Sequence, residues 1–511
     1  MPSFPRTASF WTKCGLAVGL VALADGLVYM TPPGAGLGLF ALGVTGAAFL
    51  AHPPLRRSRL ALIALLLAEV FAALQIERAT LLGFLLFAVA IGVAVLAPRA
   101  RVGDDAWQWQ QRLVIAALKA FIAPFNDFRQ FLKVRARRRT LRVTAILLAA
   151  MLPVLGGAVF LSLFAIANPV ISQALAALRI PELDLARLTF WGAVGGAAWA
   201  VLRPRGLRRT LAAPGLKGEF DLPGVTTASV TISLLVFNGV FALQNGLDIA
   251  YLWSGAPLPR GMTLAGYAHR GAYPLIATAL LAGLFVLVFL RPGSATARAR
   301  WPRILVTIWV AQNLFLVAST ALRTIDYLQV YSLTRLRIAA LIWMALVACG
   351  LALICWRLLR GKSASWLINA NAIAAGFALA VCSVIDLGAI AAAWNVRHAS
   401  EVGGGAVALD VCYLGQLNGA AVVSLAELER RRLPPTIRAR VEWTRRAETA
   451  ELVKRQVDWR SWRWRDARRL ARVRGLAGPD RPWEPGEPVG GCAPAPAVKP
   501  AQLTAPLQPG T

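Results

Sequence analysis

Charged and hydrogen-bonding side chains stand beside several of the long apolar runs of this 511-residue chain. Charged groups in a membrane-spanning helix are costly and usually face the protein interior or a cavity, so they are the best pointers to function in such a sequence. Most of them gather toward one end of the later runs. The candidate cluster consists of Asp248, His269, Arg270, Arg323, Asp326, Tyr327, Arg335 and Asp386.

The spacing of these residues favours contact between neighbouring helices. Arg323, Asp326 and Tyr327 are spaced i, i+3 and i+4, which places them on one helix face. Arg270 then has two carboxylate partners within reach, Asp248 and Asp326, and His269 beside them could titrate near neutral pH. The polar residues that extend these stripes deeper into the spans are Asn238, Gln244, Asn245, Gln312 and Ser319.

Two interpretations of the cluster stay open. In the first, which we favour, these groups anchor helix ends at the interface and pair between helices without any ligand. In the second, the cluster is a binding or catalytic site at the outer leaflet. His269, Arg270, Asp326 and Asp386 would then supply the acid, the base and the phosphate-binding groups.

A search for short motifs with a known chemistry finds none in the sequence. HExxH and GxSxG are missing, the six cysteines lack metal-ligand spacing, and the three histidines, His52, His269 and His398, are far apart. We therefore predict neither a cofactor nor a metal. The sequence leaves enzymatic activity open, and the absence of a known motif argues against it.

Composition determines the fold class. Hydrophobic residues make up 57% of the chain and charged residues 16%, and no single soluble core could hide that much apolar surface. Runs of about 20 apolar residues, enough to cross the hydrocarbon layer, recur along most of the sequence. The predicted fold is an all-α polytopic transmembrane bundle of about eleven spans with a helical C-terminal tail. The predicted spans are 12–30, 34–51, 59–76, 80–97, 141–165, 186–203, 226–250, 268–290, 303–323, 335–356 and 365–386.

The net charge of +30 is distributed in alternate loops, which makes it mainly a topology signal. Arginine and lysine mark the cytoplasmic side of short loops, so the N-terminus is predicted inside. An odd number of spans then leaves the tail outside. High alanine, glycine and arginine content indicates a bacterial source and hence the cytoplasmic (inner) membrane. The first basic loops contain Arg56, Arg57 and Arg59, then Arg99 to Arg142, then Arg203 to Lys217.

The sequence divides into five predicted regions: N-terminal spans at 1–97, a basic segment at 98–140, the main bundle at 141–398, a helical tail at 399–474 and a disordered end at 475–511. Within the basic segment, 107–139 has apolar residues every three or four positions and is predicted to be bent or broken at Pro124. This amphipathic helix either binds anionic lipids of the inner leaflet or packs on the bundle.

The tail is rich in arginine and tryptophan, with Trp459, Trp462 and Trp464 between basic residues. We predict helices at 409–432 and 441–474, separated by Pro434 and Pro435. A tail joined to so many spans has little access to nucleic acid, so no nucleic-acid partner is predicted. A protein partner is possible, and the helix lies either on the membrane-embedded body or on the headgroups.

Three stretches, 263–281, 309–344 and 395–428, resemble the bacterial multi-pass membrane family named domain of unknown function 4173, which is related to the family numbered 4153. The resemblance covers roughly residues 220–430. It implies a multi-span architecture and carries no activity or catalytic residue. The function predicted is a non-enzymatic accessory or sensory membrane component. The alternatives are a permease, or a membrane enzyme acting on a lipid-linked substrate at the outer leaflet.

Overall fold

A computed structural model describes residues 7–138, 184–254 and 299–477, except 102, 205–209, 212–225 and 406, and isolated positions between 153 and 166 and between 278 and 285. The described parts are helical, and a single bridge between Ala399 and Val407 is their only β pairing. The all-α class predicted from the sequence is therefore confirmed for these residues.

The N-terminal helices pack around a core of small side chains. They are α1 (Thr7–Leu27), α2 (Ala35–Ala51), α3 (Arg59–Glu77), α4 (Leu81–Leu96), α5 (Ala106–Arg138) and α6 (Leu185–Leu202). Alanines such as Ala41, Ala48, Ala68 and Ala94 are completely buried between them. Small residues let helix backbones approach closely, which is how helices associate where lipid is as apolar as the side chains.

A second group of helices carries the polar residues singled out above. It contains α7 (Thr227–Asp248), which continues as a π-helical turn (Ile249–Trp253), then α8 (Arg300–Val330), α9 (Arg335–Arg360) and α10 (Ala364–Val384). Leu234, Val306 and Trp309 lie at the centre of its core. A π-turn at the end of a helix shifts the side-chain register, and such turns often occur at functional sites.

Eight of the described helices are long and apolar enough to cross a membrane: α1, α3, α4, α6, α7, α8, α9 and α10. Helix α2 is apolar but has only 17 residues. Two further predicted spans, 141–165 and 268–290, lie almost wholly outside the described residues. The structure thus supports a multi-pass membrane protein with eight candidate spans, and the count of about eleven stays a prediction.

The chain after the last candidate span forms five short or medium helices. They are α11 (Leu387–His398), α12 (Val411–Gly415), α13 (Val422–Glu429), α14 (Pro435–Val457) and α15 (Trp464–Leu476). The predicted helix 409–432 is wrong because it breaks between α12 and α13, where Asn418 and Gly419 adopt positive φ. The predicted helix 441–474 begins earlier, at Pro435, and is interrupted at 458–463. Residues beyond 477 are outside the described part.

Helix α5 packs on the bundle. Trp109, Leu113 and Ala116 contact the N-terminal core, and Asp127 in α5 accepts a hydrogen bond from the indole of Trp199 in α6 at 3.0 Å. This agrees with the packed alternative of the sequence analysis, and anionic lipid binding stays a prediction. The helix is continuous through Pro124, so the predicted break there is wrong, and the alternative of a bend at that residue stays a prediction.

Candidate functional site: a buried polar seam and a charged tail junction

A buried ion pair joins α7 to α8. The carboxylate of Asp248, at the end of α7, accepts a hydrogen bond from the guanidinium of Arg323. Asp248 is fully buried and Arg323 is 5% exposed. Gln244, one turn earlier, donates to the same carboxylate at 3.0 Å. Because charges leave water at high cost unless they are paired and hydrogen-bonded, this contact fixes one helix against the other.

Amide side chains continue the contact toward the middle of both helices. Asn238 Nδ2 donates to the carbonyl oxygen of Leu305 at 3.0 Å. Gln312 Nε2 donates to Asn238 Oδ1 at 3.1 Å, and Asn245 Nδ2 donates to the carbonyl oxygen of Gln312 at 3.2 Å. We call this set the α7–α8 seam. It consists of Asn238, Gln244, Asn245, Asp248, Gln312 and Arg323.

The seam presents hydrogen-bond acceptors that the described residues do not fill. Asn245 Oδ1, Gln312 Oε1 and the nearby Asn313 Oδ1 are buried and have no hydrogen-bond partner in the described part of the chain. Their amide nitrogens are directed to other oxygens, as in the 2.8 Å bond from Asn313 to Trp309. An unfilled buried acceptor costs about 1–3 kcal/mol, so these oxygens favour a water molecule or another hydrogen-bond donor.

Only part of the predicted cluster is brought together in the seam. Asp248 and Arg323 are in direct contact. Asp326 and Tyr327 follow on α8 within the next turn, with their backbone alone described. His269 and Arg270 lie outside the described residues, so the predicted pairing of Arg270 with Asp248 or Asp326 stays a prediction.

Arg335 belongs to a different place, where the tail meets the bundle. It begins α9, and its backbone N–H donates to the hydroxyl of Tyr413 at 2.8 Å. Its guanidinium donates to the carbonyl oxygen of Leu417 at 2.6 Å. Both partners are in the tail, so Arg335 holds the tail to the start of α9.

Asp386 is also part of this region. The last candidate span ends at Val384, two residues before the predicted end at 386. Asp386 itself caps α11, and its Oδ1 accepts from the backbone N–H of Gly388 at 3.1 Å. The carboxylate accepts a hydrogen bond from Arg469 of α15. Arg78 and Arg465 lie at 3.7 and 3.8 Å. One carboxylate therefore faces three guanidinium groups.

A second carboxylate, Glu77, closes the same region from the end of α3. Arg465 contacts it with two nitrogens at 3.0 and 2.9 Å, and Arg468 contacts it at 2.9 Å. Charge-assisted bonds of this forked kind are among the stronger contacts in proteins. We call this set the tail junction. It consists of Glu77, Arg78, Asp386, Arg465, Arg468 and Arg469.

Electrostatics keep Asp386 ionised at neutral pH. Burial raises the pKa of Asp386, but the guanidinium groups of Arg469 and Arg78 outweigh that effect and hold the pKa below its ordinary value. A carboxyl group that stays ionised at neutral pH is a poor proton donor. Asp386 is therefore suited to holding α15 and unsuited to general acid catalysis.

The tail also completes the first turn of α2. The backbone N–H groups of Ala35 and Gly36 donate to the carbonyl oxygens of Trp462 and Arg460, both at 2.8 Å. The first N–H groups of a helix have no partner within it and need one from elsewhere. Here the partner is supplied by the turn between α14 and α15, so the tail is an integral part of the fold.

Two glycines make this approach possible. A Cβ atom on Gly34 would lie 2.4 Å from the backbone carbonyl carbon of Ser461, and one on Gly36 would lie 2.2 Å from the carbonyl oxygen of Leu27. Neither neighbour is a movable side chain. Any larger residue at Gly34 would push the tail away from α2.

Several contacts were missed by sequence reasoning. Glu77 and Arg465 are 388 residues apart, and no periodic pattern connects them. Asp25, which had no evident partner in sequence, forms a forked ion pair with Arg187 at 2.8 and 2.5 Å and accepts from the indole of Trp191 at 2.8 Å. The sequence signal for this pair was only that Asp25 is an isolated carboxylate in one span and Arg187 an arginine in another.

The opposite end of the bundle holds a buried histidine. His52 follows α2, and its Nε2 lies 2.9 Å from the carbonyl oxygen of Val201. Burial lowers its pKa to about 4, with Lys13 and Arg99 adding to the shift, so the ring is neutral at pH 7. Across the described residues no group of three or more histidine, cysteine or acidic side chains could hold a metal ion.

Comparison with known proteins identifies a family. The family model described as Domain of unknown function (DUF4153) matches residues 61–428, which is well over half of the chain. No curated protein and no solved structure is significantly similar. Membership of the related family 4173 stays a prediction. The matched region runs from α3 to α13 and includes both the seam and the carboxylates of the tail junction, so the chain belongs to the DUF4153 family.

Proposed function

We propose that this protein is a non-enzymatic accessory or sensory component of the bacterial cytoplasmic membrane, whose tail lies outside and reports to the bundle. The observation that supports this most is the tail junction, where the guanidinium groups of Arg465, Arg468 and Arg469 meet Glu77 and Asp386. A displacement of α15 would act directly on the ends of α3 and α10. Such a connection suits a protein that transmits a binding event from the tail to the bundle, rather than one that catalyses a reaction.

An outside tail is supported by one further observation. The tail contacts the α1–α2 turn through Arg463, whose Nε donates to the carbonyl oxygen of Pro33. This turn lies outside if the N-terminus is inside and α1 crosses once.

Labelling of single cysteines in intact cells tests the orientation. The free cysteines are replaced, and Ser254→Cys, Thr436→Cys and Lys362→Cys are treated separately with an impermeant maleimide; all three positions are exposed. We expect labelling at 254 and 436 and protection at 362 until the membrane is opened. Protection at 436 with labelling at 362 would overturn the orientation.

Photocrosslinking tests the accessory role. A photoreactive amino acid at Arg474, exposed on α15, should yield a discrete protein adduct in cells. The same residue at Leu66, which is exposed on the apolar surface of α3, serves as the control and should yield none. If exposed positions along α14 and α15 yield no adduct, the accessory role is wrong.

A permease is the second candidate, and the unfilled amide oxygens of the seam favour it. Transporter sites lie near the middle of the membrane between helices, and Asn238 and Gln312 lie near the middle of α7 and α8. Flux of alkali cations into proteoliposomes, lost in Gln312→Leu and kept in the exposed control Arg303→Leu, would favour this candidate over the first.

A further inference from the structure

The described tail exposes large apolar side chains at one place only. Within residues 399–477, except 406, every large hydrophobic residue with high exposure lies between 453 and 464. Val453 is 44% exposed, Val457 82%, Trp459 58% and Trp464 54%. The other large apolar residues of the tail pack in two closed cores. We call residues 453–464 the tryptophan turn.

The tryptophan turn lies at the level where membrane helices end. Arg460 Nη1 donates to the carbonyl oxygen of Gly26 at 3.2 Å, and Gly26 is within the candidate span Phe10–Leu27. Arg463 Nε donates to the carbonyl oxygen of Pro33 at 2.9 Å. Met30, between these contacts on the α1–α2 turn, is 86% exposed. Exposed apolar residues of the tail and of the bundle therefore occur together at the end of α1.

Charge at this level is strongly positive. Residues 453–468 contain six basic and two acidic side chains. Lys454 is exposed on α14 beside Val453 and Val457. The guanidinium of Arg468 lies 4.8 Å from the ring centre of Trp464 and is 57% exposed. Tryptophan and basic residues mixed in this way suit the headgroup layer, where an aromatic ring contacts acyl chains and a cation contacts phosphate.

We propose that the tryptophan turn inserts into the headgroup layer of the adjacent leaflet and binds anionic phospholipid there. The occupant is a lipid surface because the apolar patch lies at the end of a candidate span and its flanks are basic. A water-soluble protein could not bind a patch that is inserted in the headgroup layer, so we do not choose a protein as the occupant. This inference is independent of the proposed function, since an enzyme or a permease could be anchored in the same way.

Spin labels on the full chain in nanodiscs test the proposal. The free cysteines are replaced, and Val457→Cys and Trp459→Cys are labelled one at a time in phosphatidylcholine with or without phosphatidylglycerol. Thr436→Cys, exposed at the far end of α14, is the matched control. Collisions with oxygen report an apolar surrounding, and collisions with a water-soluble nickel chelate report an aqueous one.

We expect higher oxygen and lower nickel accessibility at 457 and 459 than at 436, and a larger difference with phosphatidylglycerol. Equal, aqueous values at all three positions in both lipids would overturn the proposal. A difference that is the same in both lipids would overturn the anionic preference. Because cysteine at 459 removes one tryptophan, agreement between the two labelled sites guards against a folding artefact, and size-exclusion profiles verify each variant.

Discussion

In the α7–α8 seam one arginine meets one aspartate and the surrounding contacts are neutral amides, whereas in the tail junction four arginines share two carboxylates. The seam pair is at most 5% exposed, while the side chains of the junction range from 11% to 57%. In a closed apolar setting, a polar group that loses its partner is costly because no water replaces it. In an exposed network, another charged group or water can replace a lost partner, and salt weakens the attraction. The two regions use the same residue types for a rigid and for a releasable contact.

The largest effect should come from leaving a seam charge without its partner. We expect Arg323→Leu to lower the free energy of unfolding by about 3–5 kcal/mol, because the buried carboxylate of Asp248 then loses the guanidinium of Arg323. The double variant Arg323→Leu with Asp248→Leu should recover most of that loss. Thermal unfolding in detergent measures both, with the exposed Arg303→Leu as control. A single variant as stable as the control would show that the pair contributes nothing.

Next in size is the steric contact between α2 and the tail. Gly34→Val should cost roughly 1–3 kcal/mol and detach the tail, because the new side chain meets the backbone of Ser461. Limited proteolysis between α14 and α15 measures detachment. Gly46→Ala is the control, since nothing lies within 4 Å of its Cβ position. Equal protease resistance in both variants would contradict the close contact.

Lowering the pH should destabilise the end of the bundle that contains His52 before it destabilises the tail junction. The pKa of His52 is lowered to about 4. The contribution of the neutral His52 ring to the free energy of unfolding is therefore complete above the ordinary histidine value near 6.5 and is lost as the pH falls toward 4. Between pH 7 and pH 5 this amounts to roughly 2 kcal/mol. The pKa of Asp386 is also lowered, so its stabilisation persists above the ordinary carboxyl value of 3.8 and is lost below it.

Hydrogen exchange at pH 7 and pH 5, corrected for the intrinsic rate, measures this difference. We expect faster relative exchange in the segment after His52 and no change in residues 458–466. His52→Phe should remove the pH effect near α2. Equal changes at both ends would contradict the assignment of the two groups.

The smallest effect should be salt screening at the tail junction. Glu77→Gln should cost on the order of 1 kcal/mol in low salt, and less in high salt, because the lost contacts with Arg465 and Arg468 are partly exposed. Protease release of the tail in both salts measures this. The control is Glu451→Gln, whose side chain is 57% exposed and lies 3.6 Å from Arg455. A cost that is independent of salt would place the junction in the same class as the seam.

The polar residues of the seam could be singled out in the sequence because they recur at helical spacing in apolar spans, but the pairing of Asp248 with Arg323 was not predicted. Lipid offers them no hydrogen bonds, so they have to meet one another. Asp248, Gln312 and Arg323 were found by that argument. The same argument did not reveal the role of Asp386, because the predicted span was taken to end at this residue, whereas the helix ends at Val384 and Asp386 caps the next one.

The tail junction could not be predicted. The tail has so many arginines that composition cannot tell which of them meets Glu77, and the partners are hundreds of residues apart. The contact of Gly34 with Ser461 depends on backbone geometry, and no periodic pattern in the sequence indicates it. Local patterns therefore indicated which residues of the spans are polar, whereas the partners in the seam and in the tail had to be observed.

The capping of α2 by the tail has a consequence for the order of synthesis. Helix α2 leaves the ribosome before the residues that contact its first turn, which follow roughly 430 positions later. At about 5–20 residues per second, that interval is on the order of 20 to 90 s. During this time the start of α2 has to rely on water or on an insertion factor for its N–H groups. A nascent chain that stops before residue 460 would leave the N–H groups of Ala35 and Gly36 without the carbonyl oxygens that they bind in the complete fold.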